Sequence, residues 1–183
     1  MKLNLGCGKD YRAGWVNIDA NPLVKFDKCV TLGRYPIPCG DNSVDEVFMS
    51  HSLEHIKDFW GFIDDLYRVC KNGATLHIIT PHATAWGAYT PQHYTQWSIS
   101  AFGSMYADGD SATGESYAKF KCKADNIRLN WLSHYGRTGV GKLRWIGLLF
   151  ELLANSFGWH WKLFAERWPF GWSEVEYRLT VVK

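Results

Sequence analysis

The tightest constraint on the fold lies in the first nineteen residues, where Leu3-Asn4-Leu5 runs into Gly6-Cys7-Gly8 and Trp15-Val16-Asn17-Ile18-Asp19 follows almost at once. A short apolar run ending in a glycine pair reads as a buried strand closed by a tight loop, and the second run reads as another strand. Only six residues, Lys9 to Gly14, separate loop from strand. A helical crossover between parallel strands usually takes a dozen or more residues. A nearly extended loop spans about 3.3 Å per residue, so six can still bring the chain back beside its first strand. The sequence therefore predicts that the usual first helix is replaced by a loop, and parallel pairing of the two strands stays open.

Further along, Ser43 to Ser50 reads as a clear strand, with a shorter one near Asp27 to Thr31. From Asp58 to Cys70, the apolar residues Phe59, Phe62, Ile63, Leu66, Val69 and Cys70 form a helical stripe, with Asp58 as N-cap and Gly73 as stop. Ala74 to Thr80 gives another strand, closed by Pro81. The order β, β, β, β, α, β predicts an open α/β sheet. In the second half, apolar and polar residues alternate from Tyr117 to Trp131, with a bulge expected near Asn126. Val175, Tyr177, Leu179 and Val181 alternate with Glu174, Glu176, Arg178 and Thr180, and the two strands should pair antiparallel. Between them lies a helical run, Val140 to Phe157, read as an insertion of about 132–172 in a single 1–183 domain.

Composition narrows the classes. Apolar residues make up 46% and charged residues 21%, which excludes a disordered or fibrous chain. A net charge of +2 gives no strong nucleic-acid signal. Cysteines 7, 29, 39, 70 and 122 form an odd set without a CxxC pair, and the apolar run begins directly after Met1-Lys2, without a secretory leader pattern. A reducing, cytoplasmic location is expected. Trp145 to Phe150 is interrupted by Glu151, well short of the ~20 apolar residues of a membrane span.

Gly6 and Gly8 at a strand end let backbone N–H groups approach a ligand, and Asp19, ending the next strand on the same edge, can accept hydrogen bonds from both hydroxyls of a ribose. A dinucleotide fingerprint would need a third glycine where Tyr11 stands and an acid about 20 residues beyond the loop. Asp19 comes too early, which favours a smaller adenosyl ligand over NAD.

The blocks Leu3-Asn4-Leu5-Gly6-Cys7-Gly8, Gly14-Trp15-Val16-Asn17-Ile18-Asp19, Asp41-Asn42-Ser43-Val44-Asp45-Glu46-Val47 and Ser52-Leu53-Glu54-His55-Ile56 together resemble the class I S-adenosylmethionine (SAM)-dependent methyltransferases. The likeness is to small stand-alone members with a reduced first helix, and it covers essentially all of 1–82, the SAM-binding half. Residues 83–183, the substrate-side half, match more loosely. The resemblance implies a Rossmann-like sheet of seven strands, order 3-2-1-4-5-7-6, with strand 7 antiparallel. It further implies that Gly6, Cys7 and Gly8 wrap the methionine portion and Asp19 holds the ribose. Ala20 would lie near the adenine, with Ser50 and His51 near the amino acid end and the sulfonium. Where relatives often carry an acid for the adenine amino group, this chain reads Val30-Thr31-Leu32, so adenine recognition falls to backbone atoms or Thr31.

His51, His82 and His93 are the catalytic candidates. His82 follows Pro81, and His93 lies in a loop expected to fold over the same edge, where a histidine could deprotonate a hydroxyl acceptor. The acceptor class expected is a small molecule or saccharide. A rival reading takes His51-x-x-Glu54-His55 as the inverted zinc-peptidase signature, which would require a helix turning both rings toward one metal. A third is a non-catalytic module that binds SAM or its coproduct S-adenosylhomocysteine (SAH). The methyltransferase reading needs no metal.

Residues 115–144 carry Lys119, Lys121, Lys123, Arg128, Arg137, Lys142 and Arg144, read as the solvated face of a strand. The aromatic stretch Trp145 to Trp172, with Trp159, Trp161, Trp168 and Phe170, is assigned mostly to core. A lid, a homodimer face or a sugar-stacking wall are the other uses open to it.

Overall fold

A computed structural model describes residues 1–106, 119–131, 143–167 and 171–183. The strands β1 (Lys2–Leu5), β2 (Val16–Asp19), β3 (Lys28–Cys29), β4 (Val44–Ser50), β5 (Cys70–Pro81), β6 (Cys122–Asn130) and β7 (Glu174–Val181) form one sheet. Its order is β3-β2-β1-β4-β5-β7-β6. β1 to β5 pair parallel, while β7 runs antiparallel to both β5 and β6. This is the Rossmann-like arrangement expected.

The short link between β1 and β2 is a loop, and side chains stitch it. Buried Asn4 donates through Nδ2 to Asn17 Oδ1 at 2.9 Å and to the Asp10 carbonyl at 2.6 Å. Asn17 Oδ1 also accepts from Arg12 N at 2.9 Å, while its Nδ2 donates to the carbonyls of Arg12 and Trp15 and to Asp27 Oδ2. Two side-chain amides thus satisfy backbone groups that a helix would have paired internally.

Helix α1 (Phe59–Val69) starts where the sequence places it, with the Asp58 carboxylate accepting from Gly61 N at 3.0 Å. Its stripe Phe62, Ile63, Leu66 and Val69 is buried against the sheet, each such side chain worth about 1.5–3 kcal/mol. The helix stops earlier than Gly73: Cys70 is already extended, and β5 begins there rather than at Ala74. Gly73, at φ +79°, lies in the irregular stretch where the β4–β5 register shifts between Val44 and Glu46.

The bulge expected near Asn126 is present, as Ala124 and Asn126 face consecutive β7 residues, leaving Asp125 extra. The start of the Tyr117 to Trp131 run lies outside the described residues, as do Arg137, Lys142, Trp168 and Phe170. The helical run is two helices, α2 (Leu143–Asn155) and α3 (Trp159–Glu166), separated near Gly158.

Two expectations are corrected. The aromatic stretch is not mostly core: Trp145 is 76% exposed and Leu152 63%, with Ile146, Leu149, Phe157 and Phe164 also exposed, whereas Trp172 is buried. Only one side of α2 meets the sheet, so the apolar residues outnumber the positions available to bury them. Glu174, assigned by alternation to the polar face, is fully buried. It opens β7 opposite Pro81, at the sheet end covered by the 82–106 segment, and there it meets His51.

Candidate functional site

The carboxyl ends of β1, β2 and β4 lie side by side, and open α/β sheets bind ligands at that edge. Gly6 and Gly8 both adopt left-handed backbone, at φ +65° and +50°. They do so for different reasons. A Cβ on Gly6 would fall 2.4 Å from Ser52 Cβ, so glycine there lets β1 pack against the turn after β4. A Cβ on Gly8 would meet nothing within 4 Å, so that position opens onto empty space. Between them, Cys7 is buried, and its thiol is pushed up to about 11 by burial first and by the Asp19 charge second. It stays protonated at neutral pH and is no nucleophile.

Asp19, half-buried at the end of β2, accepts from Gly8 N through Oδ2 at 2.7 Å and from Asn21 N through Oδ1 at 2.8 Å. Each carboxylate oxygen has two lone-pair directions, so both retain capacity for a ligand hydroxyl. Ala20 beyond it is exposed. Thr31 is also exposed, its carbonyl accepting from Arg34 N and Tyr35 N, and Leu32 is partly buried beside it. Tyr11 points elsewhere, donating to Asp27 Oδ1 at 2.9 Å.

At the end of β4, Ser50 Oγ is buried and has no hydrogen-bond partner among the described residues. His51 takes left-handed backbone at φ +50°, uncommon for a residue with a Cβ. Its N–H donates to the Ile79 carbonyl at 2.9 Å, and its Nε2 lies 2.8 Å from Glu174 Oε1. The Nδ1 is 3.7 Å from Glu54 Oε1. Both carboxylates are 1% exposed. Burial raises the Glu54 pKa above the ordinary carboxylate range, against the opposing pull of its own backbone N–H and of His51, His55 and His93. The left-handed backbone of His51 stores strain of order 1–3 kcal/mol, which persists where surrounding contacts over-determine it and clusters at functional sites.

The other histidines separate. His93, half-buried in the loop after β5, is brought to the same edge, since Tyr94 N donates to the Glu54 carbonyl at 2.8 Å. Its ring stacks edge-on to His55 with centroids 4.7 Å apart. His82 is 2% exposed, with Nε2 3.0 Å from Glu166 Oε1 and Nδ1 2.8 Å from Thr84 Oγ1. With both nitrogens engaged inside, it fastens α3 to the end of β5 and presents no nitrogen to a substrate. The helix required by the zinc-peptidase reading is absent at this point: Leu53–His55 is one 3-10 turn, and His51 precedes it with its ring held by Glu174.

Sequence reasoning missed Glu174, which alternation concealed, and it missed Glu54 and His55 as partners of His93. A cleft of about 1040 Å³ lined by residues such as Lys123, Phe157, His160 and Lys162 includes none of these site residues.

A family model described as a methyltransferase domain matches residues 15–78, less than half of the chain. No curated protein matches the sequence. Among solved structures, the chain is similar to a SAM-dependent methyltransferase from Archaeoglobus fulgidus at 15% identity and a TM-score of 0.58, covering 98% of this chain and 85% of that one. It is also similar to a SAM-dependent methyltransferase from Aquifex aeolicus at 16% identity and a TM-score of 0.53, covering 99% and 81%. Likeness at that identity establishes the fold.

Proposed function

We propose that this chain is a class I SAM-dependent methyltransferase that methylates a small-molecule or saccharide acceptor held over the carboxyl edge of the sheet, beside His51 and His93. The observation that carries the reading is the convergence of three features on that edge. Gly8 opens onto empty space, Asp19 keeps lone pairs to spare, and the buried Ser50 Oγ has no partner among the described residues. Each is a gap that a nucleoside carrying an amino acid tail would fill.

In this reading Gly6, Cys7 and Gly8 present main chain to the methionine portion, and Asp19 accepts from the ribose hydroxyls. Ala20, Thr31 and Leu32 border the adenine. Ser50 and His51 border the amino acid end and the sulfonium. SAM supplies an electrophilic methyl group already activated by the positive sulfur, so the protein chiefly aligns the acceptor, an effect worth up to about 7–11 kcal/mol.

His51 is the group best held for handling an acceptor proton. Glu174 fixes its ring through Nε2 at 2.8 Å, and Glu54 stands 3.7 Å from Nδ1. His93 faces the edge from the loop above and borders the acceptor.

The test is transfer of labelled methyl from SAM to candidate acceptors. Label in a sugar or small metabolite, lost in His51→Ala, supports the proposal. Label confined to protein or nucleic acid, or SAM binding with no turnover on any acceptor class, refutes it.

A further inference from the structure

We propose that Glu54, His55 and His93 form a binding site for one divalent transition-metal ion at the acceptor side of the sheet edge. Among the described residues, a carboxylate oxygen of Glu54 and one ring nitrogen from each histidine lie within 4.8 Å of one another. A common ion about 2.1 Å from each ligand would bring them to about 3.4 Å apart in tetrahedral geometry. His55 is exposed and His93 only half-buried, so small ring movements close the difference.

Two independent features point to a ligand. Glu54 is 1% exposed, yet neither of its carboxylate oxygens has a hydrogen-bond partner from another residue among the described residues. A buried carboxylate in that state is costly unless something charged meets it. The second feature is the arrangement of the rings. His55 Nδ1 lies 3.1 Å from the Gln92 carbonyl and His93 Nδ1 3.3 Å from the Ala88 carbonyl. A carbonyl only accepts, so each Nδ1 carries the hydrogen and the neutral ring keeps its lone pair on Nε2. Imidazoles that ligate metals are oriented in this way, one nitrogen donating to a carbonyl while the other faces the ion.

Two imidazoles and one carboxylate suit zinc, manganese, iron or cobalt, and leave coordination positions open. The set differs from the peptidase pattern, because His51 is held by Glu174 and His93 comes from a distant loop. An open position would take a hydroxyl oxygen, which narrows the acceptor to an oxygen nucleophile. In that transfer the O–H bond breaks with its proton passing by way of His51 to solvent, the O–CH₃ bond forms, and the S–CH₃ bond breaks with its electron pair staying on sulfur. This narrowing rests on the methyltransferase reading, whereas the metal site itself does not.

The experiment is calorimetry with Zn²⁺, and visible absorption with Co²⁺, on the whole chain after removal of metal with EDTA. Expected are one ion per chain, Co²⁺ bands of an imidazole-ligated site, and affinity reduced at least ~10–100-fold in both His93→Ala and His55→Ala. Melting curves in EDTA show whether each variant is folded, and the two loop substitutions provide independent readings. Absence of saturable binding, or binding unchanged in His93→Ala because the ion sits elsewhere, for example on the exposed Cys29, overturns the proposal. Binding of SAM by the wild-type chain in EDTA reports separately on the methyltransferase reading.

Discussion

Gly6 and Gly8 share a left-handed backbone but differ in what surrounds them, so alanine at each should fail in a different assay. The left-handed conformation costs a residue with a Cβ about 1–2 kcal/mol. At Gly8 nothing lies within 4 Å, so that cost stands alone. At Gly6 the new Cβ would sit 2.4 Å from Ser52 Cβ, and Ser52 is held in turn by its hydroxyl donating to the Leu5 carbonyl at 3.0 Å. Forcing the two apart adds about 1–3 kcal/mol of overpacking. The totals are about 2–5 kcal/mol for Gly6→Ala and about 1–2 for Gly8→Ala. At this chain length each kcal/mol moves Tm by about 2–4 °C, giving losses of about 4–20 °C and 2–8 °C respectively. Calorimetry with SAM should then reverse the contrast. Folded Gly8→Ala loses at least about tenfold in affinity, or about 1.4 kcal/mol, because its Cβ occupies the ligand's space. Equal Tm losses in the two variants, or wild-type SAM affinity in Gly8→Ala, would refute the reasoning.

Three further outcomes are expected. Burial holds the Glu54 pKa above its unfolded value, so the unfolded chain ionises first as pH rises, and wild type loses stability across the window from the ordinary carboxylate range up to the raised native value. Glu54→Gln, measured in EDTA, should therefore melt higher than wild type at neutral pH, with the gap closing as pH falls below the carboxylate range; a gap independent of pH contradicts this. Asn17→Ala removes the bonds to Asn4, Arg12, Trp15 and Asp27, and at about 0.5–1.5 kcal/mol each it should cost several kcal/mol in urea unfolding. Asp58→Ala removes the cap of α1 and should cost about 1 kcal/mol in the same assay.

What the sequence made legible was local. The α1 stripe, the glycine pair and the Asp58 cap each depend on residues a few positions apart, where helical period and turn chemistry act directly. The crossover too short for a helix was also readable from chain length alone, although Asn4 and Asn17 as its stitching were not. Glu174 stayed hidden because period-two alternation assigns faces without knowing which end of a strand is roofed. Its partner His51 is 123 residues away. The meeting of His93 with Glu54 depends on how the loop after β5 folds back, which neither segment encodes alone. The α2–α3 face was misjudged because apolar composition was taken for burial, although a two-helix layer on one sheet face can bury only part of that surface.

The central claim is that one carboxylate at the end of β2 grips the sugar of a nucleoside ligand. Titrating SAM into the wild-type chain and into Asp19→Ala tests it directly. Charge-assisted hydrogen bonds contribute about 1.5–3 kcal/mol each, so the substitution should weaken binding by at least about tenfold. No heat of binding from wild type, or the same affinity in both proteins, would contradict the account.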